Sequence, residues 1–248
     1  MIDLIAGEFL KLRTTRTFWY LCLGALALTA LFTVAELATE TPATEDDARS
    51  FLSTINIGGL LLLVLGIVSS AGEYRHGTIT STFLVAPDRR RVVVAKLLAI
   101  AITGILVTIA STLLMLAIGL PWLSADGESL GSLGISGPEL AGIVVRGAAY
   151  IAITAMLGVA LGALLTNQVA AIAVVPVFLI VVDPLASLLI DGYDTYSIGG
   201  LWASLGGENS EDAGFEVLDP VPAGLLYFGY MAVITAITAA IAQRRDVS

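Results

Sequence analysis

Long apolar runs separated by short polar stretches dominate this chain. A helix needs about 20 mostly apolar residues to cross a bilayer, and six runs in the sequence are long enough. They cover residues 18–37, 51–71, 92–120, 140–165, 169–190 and 221–242. Only Thr166, Asn167 and Gln168 separate the fourth run from the fifth, which predicts a tight turn. The pattern predicts an all-α integral membrane protein whose six transmembrane helices form a single domain over residues 1–248.

The N-terminal segment, residues 1–17, mixes apolar and charged positions. Its apolar residues include Ile2, Leu4, Ile5, Phe9, Leu10 and Leu12, and these alternate with Asp3, Glu8, Lys11 and Arg13. The mixture predicts an amphipathic helix that lies at the membrane surface, although an ordinary basic flank has the same composition. The first apolar run is too long for a signal peptide and lacks a following cleavage pattern, so we expect it to remain as a span.

Prolines and glycines modify two of the predicted spans. Pro176 and Pro184 both lie in the fifth run, so we expect this helix to be kinked or broken near its end. Gly158 and Gly162 in the fourth run have the spacing of small residues that allows close helix packing in membranes. After the fifth run, residues 196–205 are too few to cross the bilayer and too apolar for a plain linker. They predict a short interfacial or re-entrant piece.

Composition agrees with a membrane protein. The chain is 57% hydrophobic and 13% charged, whereas soluble domains carry about 25% charged residues. The net charge of −9 is less informative than its distribution along the chain. Cys22 is the only cysteine and His76 the only histidine, so neither a disulfide framework nor a zinc site is expected.

The distribution of basic residues predicts the orientation. If the N-terminus is cytoplasmic, ten of the twelve Lys and Arg residues lie on the cytoplasmic side: Lys11, Arg13, Arg16, Arg75, Arg89, Arg90, Arg91, Lys96, Arg244 and Arg245. The longer outer loops, residues 121–139 and 191–219, are acidic and contain no Lys or Arg. Because cytoplasmic loops concentrate these residues, we predict a multi-pass protein of the cell membrane with both termini in the cytoplasm.

Motifs for catalysis are missing from the sequence. Neither lysine belongs to the G-x-x-x-x-G-K-[ST] loop that binds nucleotide phosphates, and no G-x-S-x-G or H-E-x-x-H motif occurs. We therefore expect no catalytic residues and no ATPase activity in this chain. Uphill transport would then depend on an ion gradient or on another subunit.

Few ionisable residues lie within the predicted spans, where such residues usually have a function. Arg146 and Asp183 lie at similar depth from the outer side, which makes them candidates for an intramembrane ion pair. Alternatively, each of these two side chains reaches the outer interface separately. Glu36 is a third ionisable residue that falls within a predicted span. Neither Arg146 nor Asp183 is at the membrane midplane, where coupling ions usually bind. This position favours an external motor over an ion gradient.

The loop between the second and third spans, residues 72–91, is longer than a simple connection requires. It begins with Gly72-Glu73-x-x-x-Gly77-Thr78-Ile79, and continues through Pro87 and Arg89 to Ala95-Lys96. These residues resemble the coupling segment of permease subunits in type-2 ATP-binding-cassette exporters. The resemblance extends to the N-terminal segment, the six spans, the broken fifth span and the terminal Arg244-Arg245-Asp246. A simpler interpretation of this loop is a helix-capping acid, Glu73, beside an arginine run that anchors the topology.

The resemblance implies a membrane-spanning permease that docks on a separate ATP-binding subunit through a cytoplasmic coupling helix. Gly72, Glu73, Gly77 and Thr78 match the coupling segment of the family, and Arg89 and Lys96 match its basic exit. The family works as two permease copies with two ATP-binding subunits, so a homodimer or a heterodimer in the lipid bilayer is implied. ATP would be bound by the partner subunit, and neither a cofactor or metal in this chain nor a nucleic-acid partner is expected.

The function implied by the resemblance is export of an amphipathic or hydrophobic substrate, such as a drug, an antibiotic or a lipid. The small number of charges within the spans agrees with such a substrate. The alternatives are an ion-gradient transporter, or a membrane-embedded enzyme, that uses Arg146 and Asp183. A membrane scaffold or sensor that transports nothing also fits the sequence.

Overall fold

The structure is a computed structural model that describes residues 1–39, 41–75, 89–165, 167–206 and 210–244. Within these ranges the chain is helical and contains no strand. Its α-helices are α1 (Ile2–Arg13), α2 (Arg16–Thr39), α3 (Glu45–Ser53), α4 (Gly59–Arg75), α5 (Arg89–Ala125), α6 (Gly137–Leu165), α7 (Gln168–Val177), α8 (Asp183–Ser187), α9 (Tyr193–Tyr196), α10 (Ile198–Gly206), α11 (Ser210–Ala213) and α12 (Pro220–Arg244).

Among the described residues, six helical segments are long and apolar enough to cross a membrane. They are Arg16–Thr39, Glu45–Glu73, Arg91–Ala125, Gly137–Leu165, Gln168–Ser187 and Pro220–Ile241. The predicted all-α fold class and the predicted number of spans are therefore confirmed. The largest difference from the sequence boundaries is at the second span, whose helical segment begins at Glu45 rather than at residue 51.

The early start of the second helical segment has a local cause in the capping of α3. Thr44 Oγ1 accepts a hydrogen bond from the N–H of Asp47 at 3.2 Å, and Asp47 Oδ2 accepts one from the N–H of Thr44 at 2.9 Å. This capping box satisfies backbone donors that the start of a helix leaves free. A 3-10 turn, Thr54–Asn56, then connects α3 to α4. Hydropathy alone missed this start because the first turn of α3 is acidic.

Helices α4 and α6 form the centre of the bundle. In the most apolar stretch of each of their spans, 61% of the residues are buried. The corresponding share is only 17% for the α7–α8 span and for α12. The two central helices thus pack mainly against protein, whereas the last two spans present most of their apolar surface outward.

Glycines bring the backbones of α4 and α6 into contact. A Cβ at Gly158 would overlap the carbonyl oxygen of Leu63, and one at Gly66 would overlap the carbonyl oxygen of Ala155. A Cβ at Gly162 would lie 2.6 Å from a carbonyl oxygen of α4. The close packing predicted from Gly158 and Gly162 is confirmed, and α4 is the partner helix.

The fifth span is irregular, as its prolines predict. Helix α7 contains Pro176 and ends at Val177, and a π-helical turn, Phe178–Val182, follows it. Pro184 then lies in the first turn of the short helix α8. Since proline has no N–H to donate, each ring removes one hydrogen bond from a continuous α-helical ladder. The wider π turn accommodates this interruption.

The residues after the fifth span fold back onto the bundle. In α10, Leu201 and Leu205 are buried in the main core beside α6 and α12. The ring of Trp202 stacks on that of Tyr150, with the ring centroids 6.3 Å apart. A nine-residue helix is only about 14 Å long, so α10 cannot cross the bilayer. The short piece predicted near residues 196–205 is present as the helix Ile198–Gly206.

Helix α1 differs from the simple amphipathic pattern. Ile5, Phe9 and Leu12 face the bundle and pack against its core, whereas Ile2 and Leu10 are exposed. Glu8 lies on the bundle side and is buried. The helix therefore has one face made of apolar residues and a carboxylate, which packs on protein, and a second apolar face directed away from the bundle.

Gly158→Ala is expected to lower the melting temperature of the purified protein. In an isolated helix this change is favourable by about 1 kcal/mol, but here the added methyl group would overlap the backbone of α4. Overpacking of this kind costs roughly 1–3 kcal/mol. Gly142→Ala lies on the same helix with no atom within 4 Å of the added Cβ, so it is the matched control and should not destabilise the protein. Equal melting temperatures for the two variants would contradict the α4–α6 contact.

Candidate functional site

Three elements meet at one end of the bundle: α1, the end of α4 and the start of α5. Four charged side chains lie between them, namely Glu8, Lys11, Glu73 and Lys96, and we call them the four-charge cluster. We call this end of the bundle the basic end. The opposite end, which holds α3 and α9 to α11, is called the acidic end.

Each lysine of the cluster contacts both carboxylates. Lys96 Nζ lies 2.7 Å from Glu8 Oε2 and 3.0 Å from Glu73 Oε1. Lys11 Nζ lies 2.5 Å from Glu8 Oε1 and 3.2 Å from the same Glu73 oxygen. Lys96 Nζ also donates to the backbone carbonyl oxygen of Ser69 at 3.4 Å. The four side chains thus connect α1, α4 and α5 through one continuous set of charge-assisted bonds.

Helical spacing explains how the cluster is assembled. Glu8 and Lys11 are three residues apart on α1, so they lie on neighbouring positions of one helix face. Leu12, four residues after Glu8, is buried in the core below them. Glu73 lies near the end of α4 and Lys96 near the start of α5, on either side of the segment 76–88. Packing of α1 against α5 closes the arrangement.

Three of the four side chains are largely shielded from water. The exposed fraction of the side chain is 8% for Glu8, 11% for Lys96 and 13% for Glu73, whereas that of Lys11 is 48%. Two acids and two bases give the cluster no net charge, which limits the cost of burying it. Removal of one member would leave the opposite charges with one partner instead of two, which is unfavourable for side chains that are largely buried.

The titration of the two α1 residues reflects these contacts. Burial by itself would raise the pKa of Glu8, but the ammonium groups of Lys96 and Lys11 outweigh burial and place that pKa below its ordinary value. Burial would lower the pKa of Lys11, but its hydrogen bond to Glu8 and the charge of Glu73 raise that pKa above its ordinary value. Both residues are thus held in their charged forms.

The structure brings together some of the residues that the sequence predicts for coupling. Glu73 and Lys96 are in direct contact, and Gly72 precedes Glu73 in α4. Arg89 is the first residue of α5. Gly77 and Thr78 lie outside the described residues. The predicted set is therefore only partly placed, and its coupling role remains a prediction.

Glu8 and Lys11 were missed as site residues by the sequence analysis. Their charges assigned them to the solvent-facing side of an amphipathic helix. The sequence did contain one signal for Glu8. By helical spacing it falls on the same face as Ile5, Phe9 and Leu12, which is the apolar face rather than the charged one. A carboxylate in an apolar stripe indicates a buried partner, but the sequence does not identify Lys96 as that partner.

The hypothesised pair between Arg146 and Asp183 is not present, and this is a correction. Asp183, which is 4% exposed, accepts hydrogen bonds from the Tyr193 hydroxyl at 2.7 Å and from the Gly199 N–H at 3.1 Å. Arg146 Nε is buried and has no hydrogen-bond partner in the described part of the chain. The pair fails because α9 and α10 fold back over the fifth span and occupy the carboxylate.

Asp183 instead joins the fifth span to the helices at the acidic end. The N–H of Gly199 belongs to the first turn of α10, where a carboxylate also interacts favourably with the helix dipole. The hydrogen bond to Asp183, followed by burial, raises the pKa of Tyr193 to about 12. The tyrosine therefore remains a neutral donor to this carboxylate across the physiological pH range.

Six apolar helical spans in the described part of the chain define a multi-pass membrane protein. At its basic end, the four-charge cluster links α1, α4 and α5. Residues 4–183 match the family described as ABC-2 family transporter protein, and the chain belongs to this family. Its members are membrane permease subunits of ATP-binding-cassette transporters, which act with an ATP-binding subunit. The match includes all four residues of the four-charge cluster. A search among curated proteins found no significant match.

Lys96→Met is expected to destabilise the protein by about 3 kcal/mol, the lower range for removing one partner of a buried ion pair. The variant keeps most of the apolar stem but removes one of the two ammonium groups that Glu8 and Glu73 share. Lys11 then remains as their cationic partner among the described residues. Glu8→Gln/Lys96→Met should regain part of the loss, because it also removes one of the two carboxylates that would otherwise share the ammonium group of Lys11. Arg13→Met, on the exposed side of α1, is the control. Chemical denaturation in detergent measures the wild type, these three variants and Glu8→Gln alone. Additive effects of the two single substitutions would contradict the pairing.

The contribution of Glu8 to stability is expected to depend on pH. Because the folded state lowers the pKa of Glu8, its contribution is fully present above the ordinary glutamate pKa. It is lost as pH falls through the lowered value. The melting temperature of the wild type should therefore exceed that of Glu8→Gln near neutral pH, and the difference should shrink in acid. A difference that stays constant between neutral and acidic pH would show that the charge of Glu8 does not contribute.

Proposed function

We propose that this chain is the permease subunit of an ATP-binding-cassette exporter, with its basic end in the cytoplasm. In this proposal a separate subunit binds and hydrolyses ATP, and the permease moves an amphipathic or hydrophobic substrate out of the cell. The concentration of Lys and Arg at the basic end supports the orientation. Family membership supports the dependence on an ATP-binding partner.

The contact between Glu73 and Lys96 is the observation that carries the proposal. Glu73 lies near the end of α4 and Lys96 in the first turns of α5, on either side of the segment 76–88. Their ion pair, 3.0 Å between Lys96 Nζ and Glu73 Oε1, connects the two helices. A partner that displaces this segment would move both helices as one unit. Because α4 packs on α6 through backbone contacts, the displacement would reach the centre of the bundle. Glu73 then acts mainly as an internal connection rather than as a free docking group.

Gly72 provides a surface for the partner subunit. No described residue would lie within 4 Å of a Cβ at this position, so the packing of this chain does not require a glycine there. A requirement for close approach by another protein would account for glycine at the first position of the coupling motif. Gly77, Thr78 and Arg89 complete the proposed contact by their match to the family motif.

A second permease copy completes the proposed assembly. The α7–α8 span and α12 are only 17% buried, so a single chain leaves wide apolar faces for lipid and for another permease. The pair is a homodimer or a heterodimer with a related chain, and the substrate path lies between the two copies. The ion-gradient and enzyme alternatives gain no support from Arg146 and Asp183, since these residues do not meet.

Gly72→Leu is expected to abolish co-purification of an ATP-binding subunit while leaving the permease folded. The tagged full-length protein would be purified in mild detergent after crosslinking in its native membrane, and ATPase activity would be measured in the eluate. Gly142→Leu is the matched control, because it also places a leucine where no atom lies within 4 Å of the Cβ, but at the opposite end of the bundle. It should retain the ATPase.

Two outcomes would overturn parts of this proposal. If no ATPase accompanies the wild-type chain even after crosslinking, the motor-driven mechanism fails. If Gly72→Leu retains the ATPase as well as Gly142→Leu does, the partner docks elsewhere. Equal melting temperatures of the two variants ensure that a lost ATPase reflects docking rather than unfolding. Reconstitution with the ATPase in vesicles would then measure transport and its direction.

A further inference from the structure

An open cleft of about 500 Å³ lies at the acidic end, between the last turns of α2 and the start of α3. Its walls include Phe32 and Pro42 on the apolar side and Glu36 and Asp47 on the polar side. Cavities of roughly 300–1,000 Å³ are the usual size of small-molecule sites. The cleft is separate from the four-charge cluster, which lies at the other end of the bundle.

Glu36 is a half-buried carboxylate without a cationic partner among the described residues. Its Oε2 accepts a hydrogen bond from Thr54 Oγ1 at 3.0 Å, which fixes the side chain against the 3-10 turn before α4. Arg49, the basic residue of α3, is already bound to Glu45, Asp46 and Glu139. Glu36 therefore has a defined position but no charge compensation within the described part of the protein.

Asp47 adds a second negative charge to the same cleft. Its carboxylate is held by the N–H groups of Ala43 and Thr44 at 3.2 and 2.9 Å, and these bonds orient it without neutralising it. No lysine or arginine lines the cleft within the described residues. The two carboxylates thus create a negative potential beside the ring of Phe32.

From these observations we infer that the cleft binds an amphipathic organic cation. Ionisable residues within membrane spans usually have a function. Glu36 lies in the last turns of the first span, lines the open cleft and has no cationic partner among the described residues. Phe32 and Pro42 supply an apolar surface for the body of the ligand, and an aromatic ring also attracts cations through its face. If the proposed function holds, this class of molecule is the exported substrate, bound near the outer surface.

The test is a binding titration with ethidium, a fluorescent organic cation, on the purified full-length protein in detergent without ATP. Wild-type protein is expected to bind ethidium, and Glu36→Gln should weaken binding about tenfold or more, as for loss of one charge-assisted contact. Glutamine preserves the size of the side chain and can still accept the hydrogen bond from Thr54. Asp126→Asn, an exposed acid at the same end outside the cleft, is the matched control and should bind like the wild type.

Fluorescein, an anionic dye of similar size, separates charge recognition from nonspecific apolar binding. Weak fluorescein binding with tight ethidium binding supports the site, whereas equal binding of both dyes overturns it. Equal affinity of wild type and Glu36→Gln for ethidium overturns it as well. A melting-temperature measurement on Glu36→Gln verifies that the variant is folded.

The result is independent of the motor-driven mechanism because the titration needs neither ATP nor a partner. If Glu36→Gln loses ethidium binding and the wild-type chain captures no ATPase, the cation site is supported and the exporter function is rejected. If the wild-type chain captures an ATPase but binds no ethidium, the exporter function is supported and the cation site is rejected.

Discussion

The backbone contact between α4 and α6 is the interaction on which the rest of the structure depends. In lipid, helices gain little from burying apolar side chains, so close van der Waals packing holds them together. Glycines at positions 66, 158 and 162 allow this packing by removing side chains from the contact. Helix α4 follows α3 at the acidic end, and near its other end it contributes Glu73 to the four-charge cluster.

The charged residues organise the two ends of the bundle in different ways. At the basic end, four charges neutralise one another and connect three helices, so α1 becomes part of the bundle rather than a separate surface helix. At the acidic end, Asp183 fastens α9 and α10 to the fifth span. Glu36 is held by one neutral hydrogen bond, which leaves its charge for an external ligand. Acidic side chains thus stabilise the structure at Glu8 and Asp183 and, in our proposal, bind a ligand at Glu36.

For a permease driven by another subunit, this division has a mechanical consequence. Helices α4 and α6 are in backbone contact, whereas the π turn in the fifth span interrupts the regular α-helical hydrogen bonding. A displacement applied near Glu73 and Lys96 would therefore be carried by α4 and α6, and the fifth span would accommodate the change. The short helices at the acidic end cover the core beside that span and would respond with it.

The sequence by itself determined the helical fold, the six spans, the irregular fifth span and the close-packed glycines, because apolar length, proline and glycine act through local physical effects. It also pointed to Glu73 and Lys96 through a motif that resembles a known family. Only the tertiary structure decided the partners of the charges: Glu8 and Lys11 joined Glu73 and Lys96, and Asp183 bonded to Tyr193 and Gly199 instead of Arg146. Ion pairs and hydrogen bonds depend on distances between residues that are far apart in the chain. Composition and helical period contain no information about those distances.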